Sequence, residues 1–544
     1  SWLCGRLQIS NLSISFHPEA PDAGTLVAKL PEPAAVVVPL GAVLSMHTVV
    51  AATQQSEREK QRDKCVNAPG IVVACIDCAD FRKVLVAFRD GYPNFAKQAA
   101  ALAFASEPSK WFAHEYRAPY HLDGWTVFDA RTEYARLGFD TADAAKPSGG
   151  WRISEANARY TLCDSYPRLL VVPSSVGDDV LRGSALFRSR RRLPVVTWRH
   201  PRNGCVLMRS SQPLVGLLGR MNDDDELLLR AAAQANSLGG VKNALESTPG
   251  LRVFDCRSEK SAALQRLVGG GSEKLRLEQY SISEYNMLRL CNAKYQREVL
   301  AELRVSLENL STSDKTLRHI RQLALLNKCR WCTQLFRMLS GACDVAMLLE
   351  KGTASVLIHC SDGLNRTPQI AALAQLLVDP FYRTLKGVAV LIEKEWVAFG
   401  HNFPQRLGHF SARSRSPIFL QWLDCVWQLL HLHPSAFEFN KMLLIFLADA
   451  SFSRKYGTFL SQSPSLLDTA DLRRTTVSVW TDVMNQRTDF LNPTYKMLDG
   501  PVVPSLKEHD MQVWGDFYMR YNSCDESATD HFCRTPRASA SSCD

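Results

Sequence analysis

Residues 358–368 constrain the fold of this chain more than any other stretch. They place Cys360 two residues after the end of the apolar run 355–358, which is typical of a buried strand. Arg366 follows six residues later, and the next apolar residues recur at helical spacing. A strand, a short polar loop and a helix in this order predict an α/β domain. In this arrangement the backbone N–H groups of the loop would point at an anion that binds at the helix N-terminus.

The same segment combines the groups that phosphate chemistry needs. A helix N-terminus lowers the pKa of a cysteine thiol, so we expect Cys360 to supply a thiolate near neutral pH. Arg366 can bind two phosphate oxygens at once and orient the ester for in-line attack. No metal or cofactor is expected, because Arg366, the amides and the helix end meet the phosphate charge. The alternative is a buried cysteine that only packs.

A second pair of residues provides an internal control. Among the 16 cysteines, only Cys360 and Cys291 have an arginine six residues later. The stretch from Cys291 to Arg297 has no glycine and no preceding strand, and it looks helical, so its residues six apart would point to different faces. The spacing alone is therefore a weak signal, and the strand, Gly363 and the following helix make the first pair significant.

Length and composition limit the class of protein. A chain of 544 residues exceeds the usual size of one core, so two or more domains are expected. No window offers about eighteen uninterrupted apolar residues, so a spanning helix is not expected. The scattered cysteines favour reduced thiols over a disulfide framework. Two Cys-x-x-Cys pairs, Cys75/Cys78 and Cys329/Cys332, lie too far apart in sequence to favour a zinc site.

The net charge of +9 leaves the partner open. The basic cluster at 188–192 suits an anionic membrane surface, a nucleic acid or simple solvation. We find no zinc finger, aromatic RNA motif or uninterrupted basic helix, so no nucleic-acid partner is expected.

The chain divides into a β-rich start and an α/β remainder. Alternating apolar residues with a bulge near Asn11 come first, and four further strands and a helix are predicted at 36–39, 43–48, 71–77, 83–88 and 92–104. This pattern favours a small pleckstrin-homology (PH)-like barrel, with a charged loop at 53–64. From about Gly124, strands predicted at 169–173, 195–198, 252–254 and 354–359 alternate with helices. Residues 141–150 look like a surface insertion. Residues 369–514 are predicted to be mostly helical, and residues 526–544 are predicted to be disordered.

Motifs along nearly the whole chain, from about Cys4 to Asn522, resemble the myotubularin family of phosphoinositide 3-phosphatases. The matching stretches are 5–16, 38–43, 124–125, Cys163-Asp164-Ser165-Tyr166-Pro167, 171–175, Arg209-Ser210-Ser211-Gln212-Pro213, 255–257, 269–271, 360–369, 391–396, 399–401 and 416–440. The resemblance implies a PH-like GRAM domain over residues 1–112 and a cysteine-dependent phosphatase domain over 113–524. The phosphatase domain is expected to have a central mixed sheet flanked by helices. Residues 525–544 are expected to form a disordered tail.

The resemblance also assigns roles to the loop. Cys360 would be the nucleophile that becomes a phosphocysteine, and Thr367 would hydrogen-bond its sulfur as it leaves. The expected substrate-binding residues of the loop are Ser361, Asp362, Gly363, Leu364, Asn365, Arg366 and Thr367. Arg406 matches a family arginine that helps hold the inositol headgroup. Its alternative role is a surface or helix-packing arginine.

One departure from the family concerns the proton donor. The family's loop usually has tryptophan and aspartate where this chain has Leu364 and Asn365, and that aspartate is the family's proposed general acid. An amide donates no titrating proton, and losing a general acid typically costs about 10²–10⁴-fold in rate. Asp362 remains in the loop as the candidate replacement, acting directly or through a water.

Other departures concern the headgroup. Asn402 stands where many members carry a basic residue one turn before Arg406, which predicts weaker recognition of a 5-phosphate. Gln265 and Glu284 fall where the family often has headgroup-facing asparagines, with Tyr285 beside them. Gln265 can still hydrogen-bond, but Glu284 would repel an anion unless it points away.

The resemblance implies an enzyme that removes the 3-phosphate from phosphatidylinositol 3-phosphate. As a second substrate it implies phosphatidylinositol 3,5-bisphosphate, from which the same 3-phosphate would be removed. The alternative is a weakly active or inactive homologue that binds lipid as an adaptor or partners an active relative. A protein tyrosine phosphatase shares the loop but not the surrounding motifs. The implied partners are a phosphoinositide lipid and a myotubularin homo- or hetero-oligomer. The implied location is cytoplasmic and peripheral to membranes, endosomal ones in particular.

Overall fold

A computed structural model describes most of the chain. The described residues are 2–10, 13–18, 26–29, 36–48, 72–79, 81–88, 91–103, 107–139, 150–235, 250–275, 277–278, 280–308 and 330–520. The bulge predicted near Asn11, the charged loop at 53–64, the insertion at 141–149 and the tail beyond 525 lie outside these residues.

The first seven strands form one antiparallel sheet. They are β1 (Trp2–Ile9), β2 (Ser13–Pro18), β3 (Leu26–Lys29), β4 (Val36–Pro39), β5 (Val43–Thr48), β6 (Val72–Cys78) and β7 (Lys83–Phe88). Their order across the sheet is β4-β2-β1-β3-β7-β6-β5, and helix α1 (Tyr92–Ala103) follows. The strands predicted at 36–39, 43–48 and 83–88 are confirmed. The strand predicted at 71–77 and the helix predicted at 92–104 are confirmed to within a residue.

The second sheet is mixed, as expected for the α/β part. Its strands are β8 (Trp151–Ser154), β9 (Leu170–Pro173), β10 (Val195–Arg199), β11 (Val206–Ser211), β12 (Gly250–Asp255), β13 (Ile282–Met287) and β14 (Ala354–Cys360). Their order is β13-β12-β14-β11-β10-β9-β8. The first four in that order run parallel, and β10, β9 and β8 continue antiparallel. The sequence did not predict β8, β11 or β13.

Helices surround the second sheet and dominate the end of the chain. They are α2 (Ala130–Arg136), α3 (Asp178–Phe187), α4 (Asp223–Ala235), α5 (Glu259–Leu267), α6 (Ala293–Glu308), α7 (Arg330–Lys351), α8 (Arg366–Val378), α9 (Leu385–Ile392), α10 (Phe403–Leu407), α11 (Ile418–Leu432), α12 (Lys441–Ser453), α13 (Pro464–Thr469), α14 (Leu472–Thr475), α15 (Val479–Asn485), α16 (Arg487–Phe490) and α17 (Gly515–Tyr518). A π-helical turn, Glu393–Ala398, follows α9 directly. Cys291 precedes α6 by two residues, so the helix expected around the control pair begins just after its cysteine.

The main core lies against the second sheet, where α7 and α8 pack on β14, and α11 packs on both of these helices. Every residue of β14 and of α8 is buried, which explains their continuous apolar runs. No helix within the described ranges is long and apolar enough to span a bilayer.

The parallel strands determine where the site lies. β14 sits between β12 and β11 and runs parallel to both. The carboxyl ends of the three strands therefore meet at one edge of the sheet, where α/β proteins commonly bind ligands. The Cys360 loop is the middle of the three loops at this edge.

Candidate active site

Cys360 is the last residue of β14, and Arg366 is the first residue of α8. The thiol is almost wholly buried and receives two hydrogen bonds. The Gly363 backbone N–H and the Thr367 hydroxyl both donate to Sγ, each over 3.2 Å. Two donors aimed at one sulfur favour its ionised form.

The charges around Cys360 favour the thiolate. Burial acts to raise the pKa of the Cys360 thiol, but the Arg366 guanidinium and the Thr367 hydroxyl outweigh it, so the pKa lies below its ordinary value. The Cys256 thiol, next to the same site, has a pKa raised well above its ordinary value by burial. Of these two neighbouring thiols, only Cys360 is prepared as a nucleophile.

Arg366 is held against the loop by two contacts. Its Nη2 donates to the Ser361 hydroxyl over 3.3 Å, and its Nη1 donates to the Leu290 carbonyl over 3.5 Å. Asn365 occupies the N-cap of α8, but its side chain bonds to no amide of the helix. The helix therefore begins without a side-chain cap, and its first amides remain available to an anion.

The loop backbone is held from outside at two carbonyls in its first half. The Gln212 N–H donates to the Ser361 carbonyl over 3.1 Å. Arg192 Nη2 and Arg209 Nη2 donate to the Gly363 carbonyl over 3.1 and 3.0 Å. Gly363 has φ +70°, and a Cβ there would lie 2.5 Å from the Ser210 carbonyl oxygen. Only glycine fits this turn.

His401 holds the next carbonyl. Its Nδ1 lies 2.7 Å from the Leu364 oxygen. Burial lowers the pKa of His401 to about 3, so the ring is neutral and Nδ1 carries the proton that it donates. The shape of the loop thus depends on side chains from β11, the 188–192 cluster and the segment before α10.

Both oxygens of Asp362 are engaged. The Ser189 hydroxyl donates to Oδ1 over 2.9 Å, and Arg190 Nε donates to Oδ2 over 3.0 Å. Arg190 adopts a left-handed backbone, with φ +53°, in order to face the loop. Part of the basic cluster is therefore a contact of the candidate site rather than a freely solvated surface.

Arg406 reaches the loop from α10. Its Nε donates to the Asn365 Oδ1 over 3.3 Å, and its Nη1 donates to the Ser414 carbonyl over 3.2 Å. Asn402 caps the same helix by accepting from the Gln405 N–H over 3.1 Å. The structure thus brings Arg406 beside Asn365, and Asn402 adds a cap but no positive charge.

The remaining predicted residues lie at different distances from the loop. Gln265 accepts from Gln212 Nε2 over 2.9 Å and so reaches the loop through that residue. Glu284 is not brought to the loop, because its carboxylate pairs with Arg252 on the neighbouring strand over 2.7 Å. Tyr285 points to the other face of β13, where its hydroxyl donates to Asp255 over 2.8 Å.

A buried ionic network, which the sequence did not predict, lies beneath the loop. Burial acts to lower the pKa of His359, but Glu273 and Asp255 outweigh it and raise that pKa. The Glu273 carboxylate also binds Arg188 over 2.6 Å, and Asp255 binds Arg257 over 2.7 Å. Of these residues, 255–257 were matched as a family motif without a role. In the sequence, the only sign of this network was the pair of opposite charges at Asp255 and Arg257.

Within the described ranges, no three histidine, cysteine or acidic side chains are grouped to hold a metal ion. Cys75, Cys78 and Cys332 are buried, and Cys329 lies outside the described residues.

Known proteins resemble this chain over most of its length. Residues 106–465 match the family model described as a myotubularin-like phosphatase domain. The myotubularin of Xenopus laevis is 34% identical over 525 residues, which cover 95% of this chain and 80% of that protein. The myotubularin of Rattus norvegicus is 34% identical over 530 residues, with the same coverage of 95% and 80%.

A third relative carries a more specific name. The phosphatidylinositol-3,5-bisphosphate 3-phosphatase MTMR2 of Mus musculus is 37% identical over 416 residues, which cover 76% of this chain and 61% of that protein. The family match includes the whole Cys360 loop and both strands beside it, and the relatives extend it toward both ends. The chain therefore belongs to the myotubularin family.

Proposed function

We propose that this chain is a phosphoinositide 3-phosphatase that removes the 3-phosphate from phosphatidylinositol 3-phosphate, and more slowly from the 3,5-bisphosphate. The observation that carries the proposal is the state of Cys360. Its pKa is lowered, it accepts two hydrogen bonds, and it lies at the mouth of an uncapped helix. A family member named for 3-phosphatase activity gives the substrate class.

The first step transfers the phosphoryl group to sulfur. The Cys360 thiolate attacks phosphorus, the S–P bond forms, and the bond from phosphorus to the inositol oxygen breaks. Arg366 and the loop amides bind the equatorial oxygens, where charge develops in the transition state. The inositol alkoxide must gain a proton as it leaves, from Asp362 or from a water.

The second step releases inorganic phosphate. Water attacks phosphorus, the S–P bond breaks, and the electron pair returns to Cys360 as a thiolate. Thr367, whose hydroxyl lies 3.2 Å from Sγ, stabilises that leaving thiolate.

The proposal includes the rest of the molecule. The antiparallel sheet followed by α1 is the order expected for a PH-like fold, which supports a GRAM-type domain over residues 1–112. The phosphatase domain then covers 113–524. A lipid substrate supports a cytoplasmic protein that associates with membranes, and oligomerisation with myotubularins remains part of the proposal.

The test is phosphate release from soluble short-chain phosphatidylinositol 3-phosphate by the purified chain. We expect release that Cys360→Ser abolishes, because serine is not ionised near neutral pH. Release that survives Cys360→Ser would contradict the phosphocysteine mechanism. No release from folded wild-type protein would contradict the activity itself.

One observation favours a second candidate, a lipid-binding adaptor. Asp362 is paired with Arg190, and the Asn365 oxygen is occupied by Arg406, so the loop presents no free carboxylic acid. Asn365→Asp separates the two candidates, with Asn365→Ala as a control that removes the oxygen without adding an acid. We expect the aspartate to raise turnover by about tenfold or more. In an adaptor, neither substitution restores turnover, and Cys360→Ser binds the lipid as wild type does.

A further inference from the structure

Six large apolar side chains are exposed on the two chain segments that follow β11 and β12, on either side of the Cys360 loop. Three follow β11 and three lie at the end of α5: Leu217, Leu218, Met221, Leu264, Leu267 and Val268. Within the part of the chain that the structure describes, 54% to 86% of each is exposed. We call this set the apolar rim. So much clustered apolar surface marks an interaction site rather than ordinary scatter.

The two halves of the apolar rim form one surface. The Gly216 N–H donates to the Gly270 carbonyl over 2.8 Å, and Arg266 Nε donates to the Gly216 carbonyl over 3.1 Å. Gly216 has φ +61°, and an added Cβ would meet Gly269 at 3.7 Å. The two segments are therefore hydrogen-bonded to each other through Gly216, while the apolar side chains of the rim are exposed.

The apolar rim borders the mouth of the candidate active site. It follows β11 and β12, the strands on either side of β14. Gln212 joins the three loops, since its N–H donates to the Ser361 carbonyl over 3.1 Å and its Nε2 donates to Gln265 over 2.9 Å. The segments that carry the apolar rim are therefore hydrogen-bonded, through Gln212, to the Cys360 loop.

Three basic side chains lie among the residues of the apolar rim, and two carboxylates, Asp223 and Asp224, follow it at the start of α4. Residues 214–222 and 260–268 contain Arg220, Lys260 and Arg266 and no carboxylate. Glu259, which precedes the second segment, pairs with Arg289 over 3.4 Å. Helix α5 buries none of its nine residues, unlike a helix that packs on a core. Exposed apolar side chains beside basic ones, on an unburied helix, are typical of binding at the surface of an anionic bilayer.

We infer that the apolar rim inserts into an anionic lipid bilayer and seats the Cys360 loop over its substrate. The inference rests on the proposed function, because a phosphoinositide carries its phosphate just above the acyl chains. Leu217 and Leu218 enter the acyl boundary, and the nearby basic side chains meet lipid phosphates. The headgroup then reaches Cys360 without the lipid leaving the membrane.

The test measures binding of the full chain to vesicles of phosphatidylcholine and phosphatidylserine that contain no phosphoinositide. L217Q/L218Q should lower vesicle affinity by about tenfold or more, since each inserted leucine contributes buried apolar area. The same variant should hydrolyse soluble short-chain phosphatidylinositol 3-phosphate as wild type does. Its hydrolysis of the same lipid in vesicles should fall with affinity.

The matched control is M497Q/L498Q. These side chains are 71% and 44% exposed, and Arg383 ties Leu498 to Leu377 near the far end of α8, about 20 Å along the helix from the Cys360 loop. We expect this variant to bind vesicles with wild-type affinity.

Three results would overturn the inference. The first is equal vesicle affinity for L217Q/L218Q and wild type. The second is loss of soluble-substrate hydrolysis in L217Q/L218Q. The third is a sedimentation mass of L217Q/L218Q that differs from that of wild type, which would make the apolar rim a protein interface. Failure of the proposed function looks different. Wild type would then hydrolyse no soluble substrate, and the vesicle affinities would still decide the role of the apolar rim.

Discussion

At the scale of single residues, the ionisation of the Cys360 thiol depends on its closest neighbours. Burial alone would keep the Cys360 thiol protonated, because removing a thiolate from water is unfavourable. Arg366 and Thr367 reverse that preference, and Asp362 acts against them. The pairing of Asp362 with Arg190 reduces this opposition, since the partner offsets its negative charge. The basic cluster thus contributes indirectly to the reactivity of the cysteine.

Thr367→Val should weaken both steps of the reaction. Without the hydroxyl the pKa of the Cys360 thiol rises, so the acidic limb of the pH–rate profile moves to higher pH. A hydrogen bond to a charged group is worth about 1.5–3 kcal/mol, so phosphocysteine hydrolysis should slow about tenfold or more. The pH dependence of inactivation by iodoacetate measures the first effect, and single-turnover kinetics measure the second.

Thr367→Ser is the control, because it keeps the hydroxyl and removes only a methyl group. It should retain the wild-type pH profile. A valine variant whose inactivation profile matches that of wild type would show that Thr367 has no influence on the thiol.

At the scale of elements, the short helix α10 determines which charge faces the Cys360 loop. It presents Arg406 to the loop, and the side chain of Asn402, the residue before its first turn, caps it. Where a basic residue would attract a second phosphate, this chain has a neutral cap. The geometry of the helix is therefore kept while one positive charge is missing.

Asn402→Arg should shift substrate preference toward the 3,5-bisphosphate. Wild type should prefer the monophosphate, and the added charge should raise kcat/KM for the bisphosphate relative to it. Losing the cap should cost about 1 kcal/mol of stability. Asn402→Ser keeps a neutral cap and should keep the wild-type preference. Equal rates of wild type on both lipids, or an unchanged ratio in the arginine variant, would count against this role.

The sequence predicted elements whose pattern was uniform and missed those that carry charge. β14 reads as an apolar run and was found to within a residue. β11 contains Arg209, which is buried because it pairs with Glu395 over 2.7 Å, and no local pattern reveals a partner so far along the chain. β13 carries two exposed polar residues in succession, Ser283 and Glu284, and Glu284 pairs with Arg252 on the neighbouring strand.

The candidate site shows the same division. Cys360, Arg366 and Thr367 were predicted from one contiguous segment, because a strand, a loop and a helix bring them together. The contacts of Asp362 with Ser189 and Arg190 join residues more than 170 positions apart. Such contacts depend on strand order, which the sequence did not reveal.

At the scale of the whole molecule, the end of the described chain is tied to the core through a buried carboxylate. Asp424 on α11 accepts from Trp331 over 2.8 Å, from Tyr518 over 2.7 Å and from Gln428 over 3.0 Å. Burial outweighs these donors and raises the pKa of Asp424 to about 6. One carboxyl group thus links α7, α11 and α17, and it keeps its proton to a higher pH than an ordinary aspartate does.

Stability should therefore depend on pH through Asp424. The folded pKa lies above the ordinary value of 3.8, so the unfolded chain loses this proton first as pH rises. The stabilising contribution is complete below about pH 4 and is lost through about pH 6, by about 3 kcal/mol. The free energy of unfolding of wild type minus that of Asp424→Asn should fall across this window.

The exposed Asp489 provides the control, since Asp489→Asn should leave that pH dependence unchanged. Denaturant unfolding at a series of pH values measures both differences. A difference between wild type and Asp424→Asn that stays constant or rises from pH 4 to 7 would contradict the assignment.

The outside support of the Cys360 loop has an evolutionary consequence. Gln212, Arg192, Arg209 and His401 hold the loop by its carbonyls, so its shape does not depend on which side chains stand at 364 and 365. Those two positions can drift while the phosphate cradle persists. A lineage can then lose or gain a carboxylic acid at position 365 by a single substitution, without rebuilding the loop.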